Sequence, residues 1–124
     1  MMALPPTTIL AAADLLFAGL SWKTGRRPLP VLARRSVQLA LRIGTPMSYP
    51  ELYRILGYKG HSGIIQSVHE AVQQHPCRVF ARQLLYLAGA QWHDLPDAED
   101  MGLWLDLIAM KTNGITQAKL REAS

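Results

Sequence analysis

Lys59, His61, Ser62, Gln66, Ser67 and Gln73 place ammonium, imidazole, hydroxyl and amide groups on a short turn and along one face of a predicted helix. Glutamine pairs in bidentate fashion with adenine in the major groove, while serine and lysine reach phosphate or guanine. That is the chemistry of reading a polyanion. No arginine stands on this face, so strong guanine readout is not expected. Arg54, Arg78 and Arg82, with Arg34 and Arg35, are expected to flank the face and grip phosphates. Lys23, Arg26 and Arg27, in a basic loop between Ser21 and Pro30, can reach a phosphate backbone too.

Bond-making chemistry finds less support. His61, His69, His75, His93 and Cys77 lack the paired spacing of a zinc site. His69-Glu70 resembles a deaminase pair only loosely, and the second cysteine of that chemistry is absent. There is no phosphate-cradling glycine loop and no serine nucleophile elbow. Asp94, Asp97, Glu99 and Asp100 lack calcium-loop spacing and are expected to start a helix, where the dipole favours acids. No enzyme activity, metal or cofactor is expected.

The elements that position these residues read as six helices and a short tail. Pro5-Pro6-Thr7-Thr8 introduces a helix to Leu20, with Ile9, Ala13, Leu16 and Leu20 on one stripe. Val31 to Ile43 forms a second helix, with Leu32, Val37, Ala40 and Leu41 inward and Arg34, Arg35 and Arg42 outward. Gly44 is expected to end it in a left-handed conformation. Ser48-Tyr49-Pro50-Glu51 is a capping box with proline in the first turn; Leu52, Ile55 and Leu56 then bury one face before Gly57. Ser62 caps the next helix, whose stripe is Ile64, Ile65, Val68, Ala71 and Val72, and Pro76 is expected to stop it after His75. From Cys77 to Ala90 a helix is expected, with Val79, Phe80, Leu84 and Leu87 inward and Arg78 and Arg82 outward. A wing strand over residues 78–87 is the alternative, which Ala81, Gln83 and Leu85 disfavour. A helix with Met101, Trp104, Leu105 and Ile108 buried follows, stopped at Asn113-Gly114, and Thr116 opens a last short turn. Trp22, Trp92 and Trp104 are expected mainly to close the core.

Two short helices across a tight glycine-bearing turn, over residues 45–76, have helix-turn-helix architecture. The run Ser48-Tyr49-Pro50-Glu51-Leu52-Tyr53-Arg54-Ile55-Leu56-Gly57-Tyr58-Lys59-Gly60, with His75-Pro76-Cys77-Arg78-Val79 beyond it, resembles the DNA-binding half of alkylguanine-DNA alkyltransferases and alkyltransferase-like proteins. The likeness covers about a quarter of the chain, residues 48–79. It implies a winged-helix-like shape with Tyr49, Ser62 and Gln66 near DNA. The reactive apparatus does not carry over: the family's intercalating arginine falls on Gly63, and Arg78 directly follows Cys77 where a histidine belongs. The second helix is also about one turn longer than the family's, and no apolar strand precedes Pro76.

A chain of 124 residues, 49% hydrophobic and 18% charged, is of a size and composition for one all-α domain with a real core. Its net charge of +4 is unevenly spread: residues 21–93 carry ten Lys or Arg against Glu51 and Glu70, while residues 94–124 carry three against six acids. A basic body with an acidic end points to duplex DNA first, or to an acidic protein surface. The apolar opening lacks leading basic residues and holds Pro5, Pro6 and Asp14, so neither a signal peptide nor a membrane anchor is expected, and the location expected is cytoplasmic. The function expected is a small DNA-binding transcriptional regulator, paired as a homodimer through residues 94–124. A non-enzymatic adaptor or inhibitor docking on another protein is the alternative.

Overall fold

Proline sits in the first turn of four helices, where the missing N–H has no intrahelical partner to lose and the fixed φ favours the first turn. These are α1 (Pro6–Leu16), α2 (Pro28–Gly44), α3 (Tyr49–Ile55) and α5 (His75–Leu87). Between the last two lies α4 (Ser62–Val72), and residues 101–108 form α6. Single 3-10 turns at Trp92–Asp94 and Ala98–Asp100 complete the regular structure of this computed structural model. It describes residues 2–58 and 62–108; Lys59, His61 and the expected features beyond Ile108 lie outside the described residues. The regular structure of the described residues is all helical, with no strand among them. None of their helices is long and apolar enough to cross a membrane.

α2 is the axis of the fold. Val37, Leu39, Ala40, Leu41 and Ile43 are fully enclosed, so its C-terminal half is buried nearly all round, as a helix must be when neighbours cover every side. α5 and α4 pack on it most extensively, and α1 and α3 fill the remaining flanks. Ile9, Leu52, Ile64, Val68, Leu84, Leu85 and Met101 meet in one core.

Several expected details change. α1 ends at Leu16; Phe17 is its C-cap and lies in the core, and Gly19 (φ +80°) and Ser21 (φ +50°) turn the chain back, so that Leu20 falls beyond the helix. Trp22 is thereby buried, its Nε1 donating to Asp14 Oδ1 at 3.1 Å. Gly44 remains inside α2, and the cap is the extended Thr45. Gly44 serves close approach: a Cβ there would overlap Leu85 Cδ2 and crowd Ile9 Cδ1 at 3.2 Å, so α1, α2 and α5 meet at this point.

Pro76 starts a helix as well as excluding one. α4 stops at Val72, and α5 already begins at His75. Residues 75–87 are helical, so the wing-strand alternative is not what folds. The buried face of α5 is Cys77, Ala81, Leu84 and Leu85, with Phe80 packed against it; Leu87, expected inside, is exposed. The small Cys77 and Ala81 allow α5 to lie close against α2, and this rotates the stripe away from Val79 and Leu87. In α6, Met101 and Leu105 are buried as expected, whereas Trp104 and Ile108, also expected inside, are only partly buried.

Candidate nucleic-acid interface

α3 begins as its residue pattern requires. Ser48 Oγ accepts from the Glu51 amide at 3.4 Å, and its hydroxyl donates to Glu51 Oε1 at 3.0 Å, so the Glu51 carboxylate turns to the hydroxyl rather than to the Ser48 amide. The helix ends through Gly57 (φ +77°): Tyr58 N–H reaches Tyr53 O at 2.8 Å and Gly57 N–H reaches Arg54 O at 3.1 Å. Those two bonds are a Schellman closure, which only a left-handed residue permits. Tyr58 is then anchored to α2, its hydroxyl accepting from Gln38 Nε2 at 3.2 Å. The start of the turn between α3 and α4 is thus tied at both helix α3 and helix α2.

On α4, Ile64, Val68, Ala71 and Val72 are buried while Gln66 and His69 are exposed and Ser67 is half-buried. The helix therefore faces as its apolar stripe requires, with Gln66 outward. Gln73 is exposed but sits in the turn after α4, not on the helix. Ser62 is the first residue of α4. Gly63 is exposed with open space around it. Tyr49 is half-buried at the start of α3, its ring 4.3 Å beneath the Arg42 guanidinium, and burial pushes its hydroxyl pKa up against the lowering pull of Arg42.

The arginines depart most from expectation. Arg34 Nη1 donates to Trp22 O at 3.3 Å and Gly25 O at 2.9 Å, holding the loop between α1 and α2. Arg42 donates to Met47 O at 2.9 Å, holding the loop before α3. Arg78 donates to Val72 O at 2.8 Å, at the C-terminus of α4. Arg82 donates to Pro96 O at 3.1 Å, stacks 4.0 Å from the Trp92 ring and stands 3.7 Å from Asp97. Arg35 pairs with Glu70 at 2.7 Å. Arg34, Arg35, Arg78 and Arg82, expected as phosphate grips, thus each hold a partner within the fold instead of projecting free. Loop carbonyls lack partners of their own, and a charged donor makes the strongest bond available to them.

Arg54, Arg26 and Arg27 are exposed and unpaired among the described residues, and Lys23 is exposed beside the Trp22 ring. Arg34 connects two parts of this cationic surface. It holds the loop of Lys23, Arg26 and Arg27 by two carbonyls, and it lies close enough to Tyr58 to pull that hydroxyl's pKa down against the larger effect of burial. The basic loop and the start of the α3–α4 turn thus gather around the same stretch of α2. Glu70, not among the expected site residues, contacts one of them. Its position four residues after Gln66 was the available signal, since such pairs meet on a helix: Gln66 Nε2 donates to Glu70 Oε1 at 3.1 Å.

Cys77 is fully buried, its thiol donating to Gln74 Oε1 at 3.2 Å and near Leu32 O at 3.7 Å. Burial pushes its pKa up, opposed by a hydrogen bond with Ser36 and by the charges of Arg35 and Arg78. A nucleophilic cysteine needs the opposite setting. Among the described residues no three His, Cys, Asp or Glu side chains come together as a metal site. Comparison with known family models, curated proteins and solved structures finds no match.

Proposed function

We propose that this chain is a non-enzymatic, small transcriptional regulator that binds duplex DNA, with α4 entering the major groove. One observation carries this reading: the basic body stays electrically uncompensated although most of its arginines are structurally employed. Arg34, Arg42 and Arg78 bond to neutral carbonyls, which leave their charge intact, and among the described residues Arg35 and Arg82 are the arginines that face carboxylates. A body of retained positive charge that also carries an outward Gln66 suits a phosphate backbone and a readable groove.

In this reading Gln66 meets a base edge, and Lys23, Arg26, Arg27 and Arg54 contact phosphates. Arg34 pre-orders the basic loop, which lowers the entropy lost when the loop engages. Support for a paired protein comes from α6, where Leu103 and Leu107 lie one turn apart and are 60% and 48% exposed. A second copy of the chain is the occupant that two-fold DNA sites favour. The test is retention of the protein on random duplex DNA at low salt and its release as salt rises. A protein that ignores duplex at every salt concentration, yet is held by an acidic protein, belongs to the adaptor reading instead.

A further inference from the structure

We infer that Glu70, held by Arg35, is a positioning residue that sets how Gln66 meets a base, and that the base so selected is adenine. This rests on α4 being the groove-entering helix. Gln66 is exposed, and an exposed glutamine ordinarily samples many rotamers, each of which must be lost on binding. Here its Nε2 donates to Glu70 Oε1 at 3.1 Å, and Glu70 Oε2 is gripped by Arg35 Nη2 at 2.7 Å. Arg35 comes from α2, so the orientation of Gln66 is fixed by the central helix and not by its own helix alone.

The hydrogen-bond inventory then decides the base. A primary amide has two N–H donors and one carbonyl acceptor. With one N–H given to Glu70, Gln66 keeps one donor and the Oε1 acceptor. Adenine offers N7 as acceptor and N6–H as donor, which matches that pair. Guanine offers two acceptors, N7 and O6, and would need two donors where only one is free. Glu70 gives one oxygen to Gln66 and the other to Arg35, which holds its carboxylate against the protein. Its charge is met by Arg35, which limits repulsion of nearby phosphates.

The experiment is selection from a random duplex library at one fixed salt concentration, with the wild-type protein, Gln66→Ala, Glu70→Ala, Glu70→Gln and the double Gln66→Ala/Glu70→Ala. The wild type is expected to prefer adenine at one position, and Gln66→Ala to reduce that preference about tenfold. Glu70→Ala should reduce it at the same position by a similar factor, and the double variant no further. Glu70→Gln, which keeps an oxygen for Gln66 to donate to, should retain the preference. A cooperative thermal melt for each variant establishes that a loss of preference is not a loss of fold. Retained adenine preference in Glu70→Ala, or losses that add in the double variant, overturns the inference alone. A wild type that binds no duplex overturns the DNA reading and the inference with it.

Discussion

Gln38 Nε2 donates to the Tyr58 hydroxyl at 3.2 Å, joining the buried middle of α2 to the residue that leaves α3. Gln38 is enclosed, and its Oε1 has no hydrogen-bond partner among the described residues. The pair therefore holds the start of the turn with only half of the amide satisfied.

Tyr58→Phe removes the remaining partner and leaves the whole amide buried unpaired, at a cost of about 1–3 kcal/mol. Gln38→Met removes the amide, keeps similar volume and leaves the half-buried Tyr58 hydroxyl to meet water, so it should cost less. Urea denaturation of the two variants ranks them. Greater destabilisation by Gln38→Met would contradict the larger cost assigned to a buried, unpaired amide.

Gly44→Ala should destabilise the fold despite its better helix propensity. A Cβ collides with Leu85 and crowds Ile9, and overpacking costs about 1–3 kcal/mol. The helix gain is about 1 kcal/mol in an interior position and less at the end of α2. A lowered thermal midpoint checks this; an unchanged or raised one would mean that the α1–α2–α5 crossing yields easily.

How much of this was legible in the residues differs by element. The α3 cap, the outward Gln66 and the inward Ile64, Val68 and Ala71 follow from local pattern, because cap partners lie within one turn and an apolar stripe shows in the spacing. The staples do not. Arg34, Arg42, Arg78 and Arg82 bond to main-chain carbonyls, which carry no residue signature, so nothing in their spacing distinguishes a staple from a free cation. The α5 face was misjudged for a related reason: close approach to α2 favours small Cys77 and Ala81 over larger Val79 and Leu87. Gly44 combines both problems, since only the crossing helices reveal why a side chain is excluded.

Alkaline pH should weaken the protein. Burial raises the pKa of Cys77 above 9.0 and those of Tyr49 and Tyr58 above 10.0, their ordinary values. The folded state thus holds these protons more tightly than the unfolded chain. That stabilisation is complete below the unfolded values and is lost as pH climbs through the raised folded ones. Thermal midpoints should fall from about pH 9 upward, less steeply in Tyr58→Phe. In the neutral range Cys77 should react with a thiol reagent only when the protein unfolds; prompt reaction of the folded protein would contradict its burial.

Leu103→Ser with Leu107→Ser should convert a dimer to a monomer without lowering the thermal midpoint of the monomer, because both side chains are already exposed. Sedimentation equilibrium reads the mass. A monomeric wild type at tens of micromolar, or a double variant that remains dimeric, would remove α6 as the pairing face.

The most direct test of the DNA reading is the slope of log K against log salt for a duplex bearing the selected site. Four exposed cations among the described residues, Lys23, Arg26, Arg27 and Arg54, predict a slope of about −4. Arg54→Ala should reduce its magnitude by about 1 and weaken all sequences alike. Gln66→Ala should leave the slope unchanged and lower only the preference for the selected site. A slope near zero, or a Gln66→Ala variant that weakens every duplex equally while Arg54→Ala changes nothing, would contradict the assignment of this face.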